Sequence, residues 1–411
     1  MKQNRPLTIT GGTLVTPDGL VEGAIRLEDG LIAAVGVGVT ADENDNVVNA
    51  RRKLVTPGLV DLGVFSIDKP AFHFGGITRA ALMPDQSPPL DYPSRVNFIA
   101  KSGKPDFWVH PLAAATCDLQ GKQLAELALM REAGARGIAT GRRWIADSGV
   151  MLRLLQYAAM LDLVIVSHAE DSGLVGEAAA TAGEVATRLG LPSAPAEAEA
   201  LAVARDIGLA EMTGARLHLR QVTTRRGFEL VRDAKARGVN VTCGITPPHF
   251  MLSELDTGDF RTFARLSPPL RKQSDRDAAR AAIGEGVVDV ISSGHDPRGP
   301  EGKRLPFADA DPGMAGAETL LAMTLNLVRD QVIDMHRAFA LLAENPARLL
   351  GVPAGALVAG HEADIALIDP EAPWVINRTK MEATADNTPF DRQGAQGRVK
   401  SLIKGGVEIE L

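Results

Sequence analysis

Cysteine is nearly absent from this chain of 411 residues: Cys117 and Cys243 are the only two, far apart and outside any CxxC. That excludes a disulfide framework or a zinc knuckle, and it fits a reducing cytoplasm. Aromatic residues are scarce at 4%, so Leu, Val, Ile and Ala must do most of the packing. No apolar run approaches the length of a membrane span, and the stretch from Met1 to Gly19 lacks the apolar core of a signal peptide. A cytoplasmic protein with no membrane partner is expected. No GxGxxG follows the early strands, which argues against an open nucleotide-binding sheet. There is no GxSxG elbow, and neither cysteine sits in a context that marks a nucleophile. Internal repeats, low-complexity tracts and long charge blocks are missing too. A net charge of −7 argues against nucleic acid or an anionic membrane as partner.

What is present is a patterned α/β chain with hydrophobic residues at 45%, enough for a large core. Its length is typical of an α/β barrel carrying an added module. Residues 1–56 read as short strands (7–10, 13–15, 24–27 and 31–35) separated by GG, PDG and EDG turns. The last 55 residues repeat that texture at 363–369, 374–376 and 397–406. Two β-rich ends suggest one small β-domain assembled from both termini, with two independent hairpins as the alternative. Between them, apolar runs at 107–109, 136–139, 163–166, 216–219, 239–242 and 287–291 read as buried strands. Helical spacing marks 123–133, 149–160, 196–213, 225–237, 274–284 and 318–330. Such alternation predicts a (β/α)-barrel or a doubly wound sheet. The Ala-rich patch 176–182 reads as loop or helix filler.

Eleven stretches, in order, carry a resemblance. They include VTPGLVD (55–61), GGITRAALMPDQSPPLD (75–91), SHAED (167–171), VTCGITPPHFML (241–252), LSPPLRKQSDRDA (266–278), DVISSGHDP (289–297), ENPARLLG (344–351) and NTPF (387–390). In these the chain resembles the type I dihydroorotases of the amidohydrolase superfamily. The resemblance implies a (β/α)8 TIM-like barrel over 57–356 and a small β-sandwich domain built from 1–56 and 357–411. In an active member of the family, zinc at the C-terminal ends of the strands generates a hydroxide that attacks the ring amide of dihydroorotate.

Carried over residue by residue, that metal centre is missing from this sequence. The His-x-His that should end the first barrel strand falls on Gly63 and Phe65. The bridging acidic or carboxylated-lysine ligand falls near Thr140 or Gly141, the next histidine on Gln221, and the metal-binding, proton-shuttling aspartate on Gly294. His168 alone is kept of six ligand positions, and catalytic zinc needs about three protein ligands. The positions that bind substrate differ as well: the carboxylate-pairing arginine becomes Ile67, an asparagine becomes Asp85 and a histidine becomes Arg298. The segment from Ile67 to Phe74 is shortened. Phe65, pointing into the mouth, would fill the space a metal and its water need.

The kept residues have plainer readings. His168 and His295 are vestigial candidates that serve equally as packed, hydrogen-bonded histidines. Arg271 sits in a PPLR turn, and with Arg298 it is a possible anion anchor. A relocated metal site would need His73, His218 and His249 to converge; His249, beside Pro247 and Pro248, reads as a rigid loop element. His110, His336 and His361 carry no signal, and Asp85 reads as a solvated loop carboxylate or a new general base. The leading expectation is therefore a catalytically inactive dihydroorotase homologue without a cofactor. By family analogy it would be a structural or regulatory partner of aspartate transcarbamoylase in pyrimidine biosynthesis, and itself oligomeric. The alternatives are an active cyclic-amide hydrolase with a rebuilt zinc site, and a small-molecule sensor using the old pocket.

Overall fold

A computed structural model describes residues 5–409; residues 1–4 and 410–411, the outermost parts of the two terminal β-segments, lie outside it. Two large sheets organise the chain. The first is built from strands at both ends of the sequence: Leu7–Thr16, Gly19–Glu28, Leu31–Gly36, Asn46–Asn49 and Leu54–Pro57, then Ile365–Val375, Gly394–Lys404 and Val407–Ile409. The seam between the ends is the short strand Leu54–Pro57. It runs parallel to Leu7–Thr16 on one side and antiparallel to Ile365–Val375 on the other, with Thr56 opposite Ala366. Hydrogen bonding is continuous through this sheet, and inward residues such as Ile9, Leu14, Ile25, Val55, Ile365 and Ile403 form a core of their own.

The GG at residues 11–12 is not the turn its sequence suggests. It is a bulge inside one ten-residue strand, where the register shifts between Ile9 and Gly12. Gly11 takes φ +75°, and a Cβ on Gly12 would come within 2.7 Å of Val55, so the strand bends there without reversing. The apolar runs at 363–369 and 374–376 likewise merge into one irregular strand.

The second sheet is eight parallel strands in sequence order: Leu59–Val64, Ile77–Leu82, Trp108–Ala114, Gly137–Ala139, Ile165–Ser167, Leu217–Leu219, Val241–Ile245 and Val290–Ile291. Ile77–Leu82 was not among the runs singled out above. Asp61 closes the ring by accepting a hydrogen bond from the Ser293 amide (2.9 Å), and the Phe65 amide donates to the His295 carbonyl (2.9 Å). The helices that follow the strands appear where the apolar spacing places them, among them Ser148–Met160, Glu197–Thr213, Arg225–Ala236, Gln273–Gly284 and Leu320–Arg329. Their apolar faces cover the barrel in one extensive core. Architecture and residue pattern together make this a TIM-like (β/α)8 barrel with a β-domain drawn from both ends of the chain.

Three local readings are refined. Ala180–Thr181, within the Ala-rich patch, is a short strand paired with Ser193–Ala194. His249 lies in a helical turn, Pro247–Met251, rather than a loop. The shortened segment after Phe65 contains a helix, Lys69–Phe74, that buries Phe72 completely. The two sheets are tied by a buried ion cluster: Arg79 of the second barrel strand donates to Asp364 (2.7 Å), which also accepts from Lys404 (2.8 Å). Among the described residues no helix is long and apolar enough to cross a membrane.

Candidate functional site

In a parallel barrel the side chains at the C-terminal ends of the strands face one mouth, and ligand chemistry concentrates there. The centre of this mouth is held by a residue the sequence reading passed over, Arg220. It follows the strand Leu217–Leu219 and is only 5% exposed. One terminal nitrogen donates to Gln221 Oε1 (3.1 Å) and the other to His168 Nδ1 (3.0 Å). Its guanidinium carbon lies 5.2 Å from the centre of the Phe65 ring. A Cβ added to Gly63 would sit 3.5 Å from Arg220 Cδ, so the arginine stem packs directly over this glycine. Gly63 also has φ +95°, a conformation that favours glycine. Arg220 therefore touches four of the six positions that the resemblance assigns to metal ligands: Gly63, Phe65, His168 and Gln221.

Phe65 is buried in the mouth, stacked against Arg142, whose guanidinium carbon is 3.7 Å from the ring centre. Arg142 in turn forms a two-pronged pair with Asp296 (2.5 and 3.0 Å), which also accepts from Arg298 (3.0 Å). Asp85 accepts the Arg142 amide (2.9 Å). It packs so close to Gly141 that a Cβ there would meet a carboxylate oxygen at 2.8 Å. Thr140 is buried, its hydroxyl accepting the His168 amide (3.0 Å). Gly294 lines the floor of the small cavity beside Phe65, while Ile67 is partly buried against the main core.

His168 is hydrogen-bonded at one ring nitrogen and faces a carboxylate with the other. A guanidinium can only donate, so Nδ1 is the acceptor towards Arg220 and the ring proton is on Nε2, 3.5 Å from Glu170 Oε2. Burial pushes the Glu170 carboxyl upward, but the Arg271 guanidinium and His168 outweigh that and hold it down at about 2. Arg271, a possible anion anchor from sequence, is 3% exposed and already engaged by Glu170 (2.6 Å), Thr223 (2.9 Å), Thr181 (3.3 Å) and Glu199 (3.4 Å). Glu199 reaches from the helix Glu197–Thr213 to accept the amides of Thr223 and Thr224 (2.9 and 2.8 Å), which fixes the loop carrying Arg220 and Gln221.

The remaining histidines do not assemble. His295 is wholly buried on the far side of Phe65, with its Nδ1 accepting the Ala317 amide (3.3 Å) and its ring against Phe72. Burial lowers it to about 4 against the opposing pull of Asp68 and Asp296. His249 contacts Thr246 and the Pro268 carbonyl, and burial lowers it to about 4. His218 bonds Thr242 Oγ1 (2.9 Å) and is lowered to about 3, chiefly by burial, while His73 packs by Phe107. Among the described residues no group of three or more His, Cys, Asp or Glu side chains is placed to hold a metal ion. The donors at the mouth do not fit a catalytic zinc: a buried guanidinium stands among them and repels a cation.

Comparison with known proteins agrees with the fold. Residues 52–227 match the family model described as dihydro-orotase-like. A dihydroorotase from Syntrophotalea carbinolica is 38% identical, aligned over 98% of this chain and 99% of its own length. One from Geobacter sp. (strain M21) is 34% identical over 98% of each chain. The chain belongs to the dihydroorotase family. Among solved structures, the L-hydantoinase (dihydropyrimidinase) from Arthrobacter aurescens superposes with a TM-score of 0.89 at 24% identity, covering 99% of this chain and 96% of that one, a likeness of fold. In this dihydroorotase-family barrel, the residues that sequence reading missed are Arg220, Arg142, Glu170 and Asp296. The signal was present: a basic residue stands directly beside two of the altered positions, Arg142 after Gly141 and Arg220 before Gln221.

Proposed function

We propose that this chain is a dihydroorotase-family protein that does not hydrolyse dihydroorotate, and that it serves pyrimidine biosynthesis as a structural and regulatory partner of aspartate transcarbamoylase. The observation that carries the first half is Arg220, a fixed cation in contact with the positions where the family's metal ligands would stand. Opening a cyclic amide needs an activated water, and the groups around the mouth are poorly suited to activating one. Glu170 is paired with Arg271, Asp296 is shared by Arg142 and Arg298, and the basic nitrogen of His168, Nδ1, already accepts from Arg220.

The second half rests on family resemblance: a barrel relieved of its catalytic centre keeps its exterior for assembly. The test is dihydroorotase activity with added zinc, for the chain alone and mixed with the same organism's aspartate transcarbamoylase, with size-exclusion chromatography of the mixture. Absence of turnover together with a co-eluting complex is the expected result. Zinc-dependent turnover by the isolated chain overturns the first half, and separate elution overturns the second.

A further inference from the structure

Arg220 is anomalous in a way that metal loss alone does not explain. A buried guanidinium is normally matched by a carboxylate, because taking the charge out of water is expensive. Among the described residues no carboxylate oxygen lies within 4.0 Å of Arg220, and its Nε is buried without a partner. Its two bonds go to a neutral amide and an imidazole. Of the nearby acids, Glu170 is paired with Arg271 and Asp296 is shared by Arg142 and Arg298, while Asp85 accepts the Arg142 amide through Oδ1 and keeps a buried, unpartnered Oδ2 that does not come within 4.0 Å of Arg220.

A cavity of about 170 Å³ opens directly onto this unmatched charge, lined by three arginines (Arg142, Arg143 and Arg220) against one carboxylate, Asp296. Arg143 is exposed and has no ion-pair partner among the described residues. Arg142 and Arg143 also line a second cavity of about 630 Å³ alongside it. Gln221, Thr246 and Ser267 add polar groups to the smaller cavity. Its excess of positive charge therefore resides on Arg220 at the base and Arg143 at the rim.

We propose that this mouth binds a small anion, a carboxylate or a phosphate, with Arg220 as the buried anchor and Arg143 as the rim contact. The guanidinium keeps a positive charge in the barrel mouth and converts a hydrolytic centre into an anion receptor. The space that reaches Arg220, about 170 Å³, is smaller than the roughly 300–1,000 Å³ typical of drug-sized ligands, so the group held at the anchor itself is a single carboxylate or phosphate. Arg271 is not the anchor, since its guanidinium is matched by Glu170 and Glu199, and Arg298, which shares Asp296 with Arg142, does not line the cavity. The inference rests on the reading of the mouth as free of metal.

The test is calorimetric titration and thermal melting of the full chain after chelator treatment, with sodium phosphate and with succinate, against sodium chloride at equal ionic strength. Wild type is expected to bind at least one of the two anions and to melt higher in its presence. The responding anion identifies phosphoryl or carboxylate recognition. Arg143→Ala, a change at an exposed position, is expected to weaken binding about tenfold through loss of one charge-assisted contact. Arg220→Met is expected to abolish binding while leaving the anion-free melting midpoint equal to or above that of wild type. No binding of either anion by wild type, or undiminished binding by Arg220→Met, overturns the proposal. Neither result bears on turnover or on co-elution with aspartate transcarbamoylase, so its failure is distinguishable from failure of the functional reading.

Discussion

Replacing Arg271 by Met tests whether the arginine of the PPLR turn is a ligand anchor or an internal counter-ion. Its guanidinium faces Glu170 at 2.6 Å and Glu199 at 3.4 Å, and all three side chains are at most 4% exposed. Removing the cation leaves two buried carboxylates, and breaking such a cluster from one side costs about 3–5 kcal/mol. The titration of Glu170 gives an independent scale. Holding it at about 2 instead of 4.5 corresponds to roughly 3 kcal/mol of stability. Because the folded value is depressed, that stability is fully present above pH 4.5 and is lost as the pH falls towards 2. In the variant the same carboxyl, now unpaired and buried, titrates upward, so the deficit shrinks as acid neutralises it. Urea unfolding followed by tryptophan fluorescence should therefore show a loss of about 3–5 kcal/mol at pH 7 and a distinctly smaller loss at pH 5. A loss below about 1 kcal/mol at pH 7, or an equal loss at both pH values, would refute the counter-ion reasoning.

Two further outcomes follow from the same geometry. Burial raises the Asp61 carboxyl to about 6 from 3.8, so the wild type loses up to about 3 kcal/mol as pH rises through that window. Asp61→Asn removes the titration, and its stability relative to wild type should climb between pH 4 and 6.5; a constant difference across that range contradicts the assignment. The double variant Gly63→His and Phe65→His restores the family's His-x-His, yet it should retain no stoichiometric zinc after gel filtration. Gly63 has φ +95°, which costs a histidine roughly 1–2 kcal/mol, and Arg220 still faces the site. One tightly held zinc per chain, measured by elemental analysis, would show that the arginine yields.

The barrel was legible because its signals are local and redundant. The helix Glu197–Thr213 shows apolar spacing over seventeen residues, and no competing pattern fits it. That Gly63 and Phe65 offer a metal no side-chain donor at any rotamer can likewise be read without coordinates. What could not be read was direction. An arginine beside a strand end is ordinarily solvated; Arg220 instead turns inward and packs over Gly63, far away in sequence, and no local pattern links the two. Arg271 misled in the opposite sense: its partners come from the SHAED stretch and from a helix start some seventy residues before it, and no spacing rule links them. The bulge at residues 11–12 resembled a turn because GG permits both, and only the neighbouring Val55 decides.

The strand Leu54–Pro57 imposes an order of events on synthesis. Its outer edge is satisfied by Ile365–Val375, with Thr56 and Ala366 separated by 310 positions. While the ribosome makes the intervening barrel, that edge has no native mate, and an unpaired apolar edge invites pairing with another chain. The β-domain therefore cannot be completed before residues 365–375 have been made, and a chain that stops within the barrel keeps this edge unpaired.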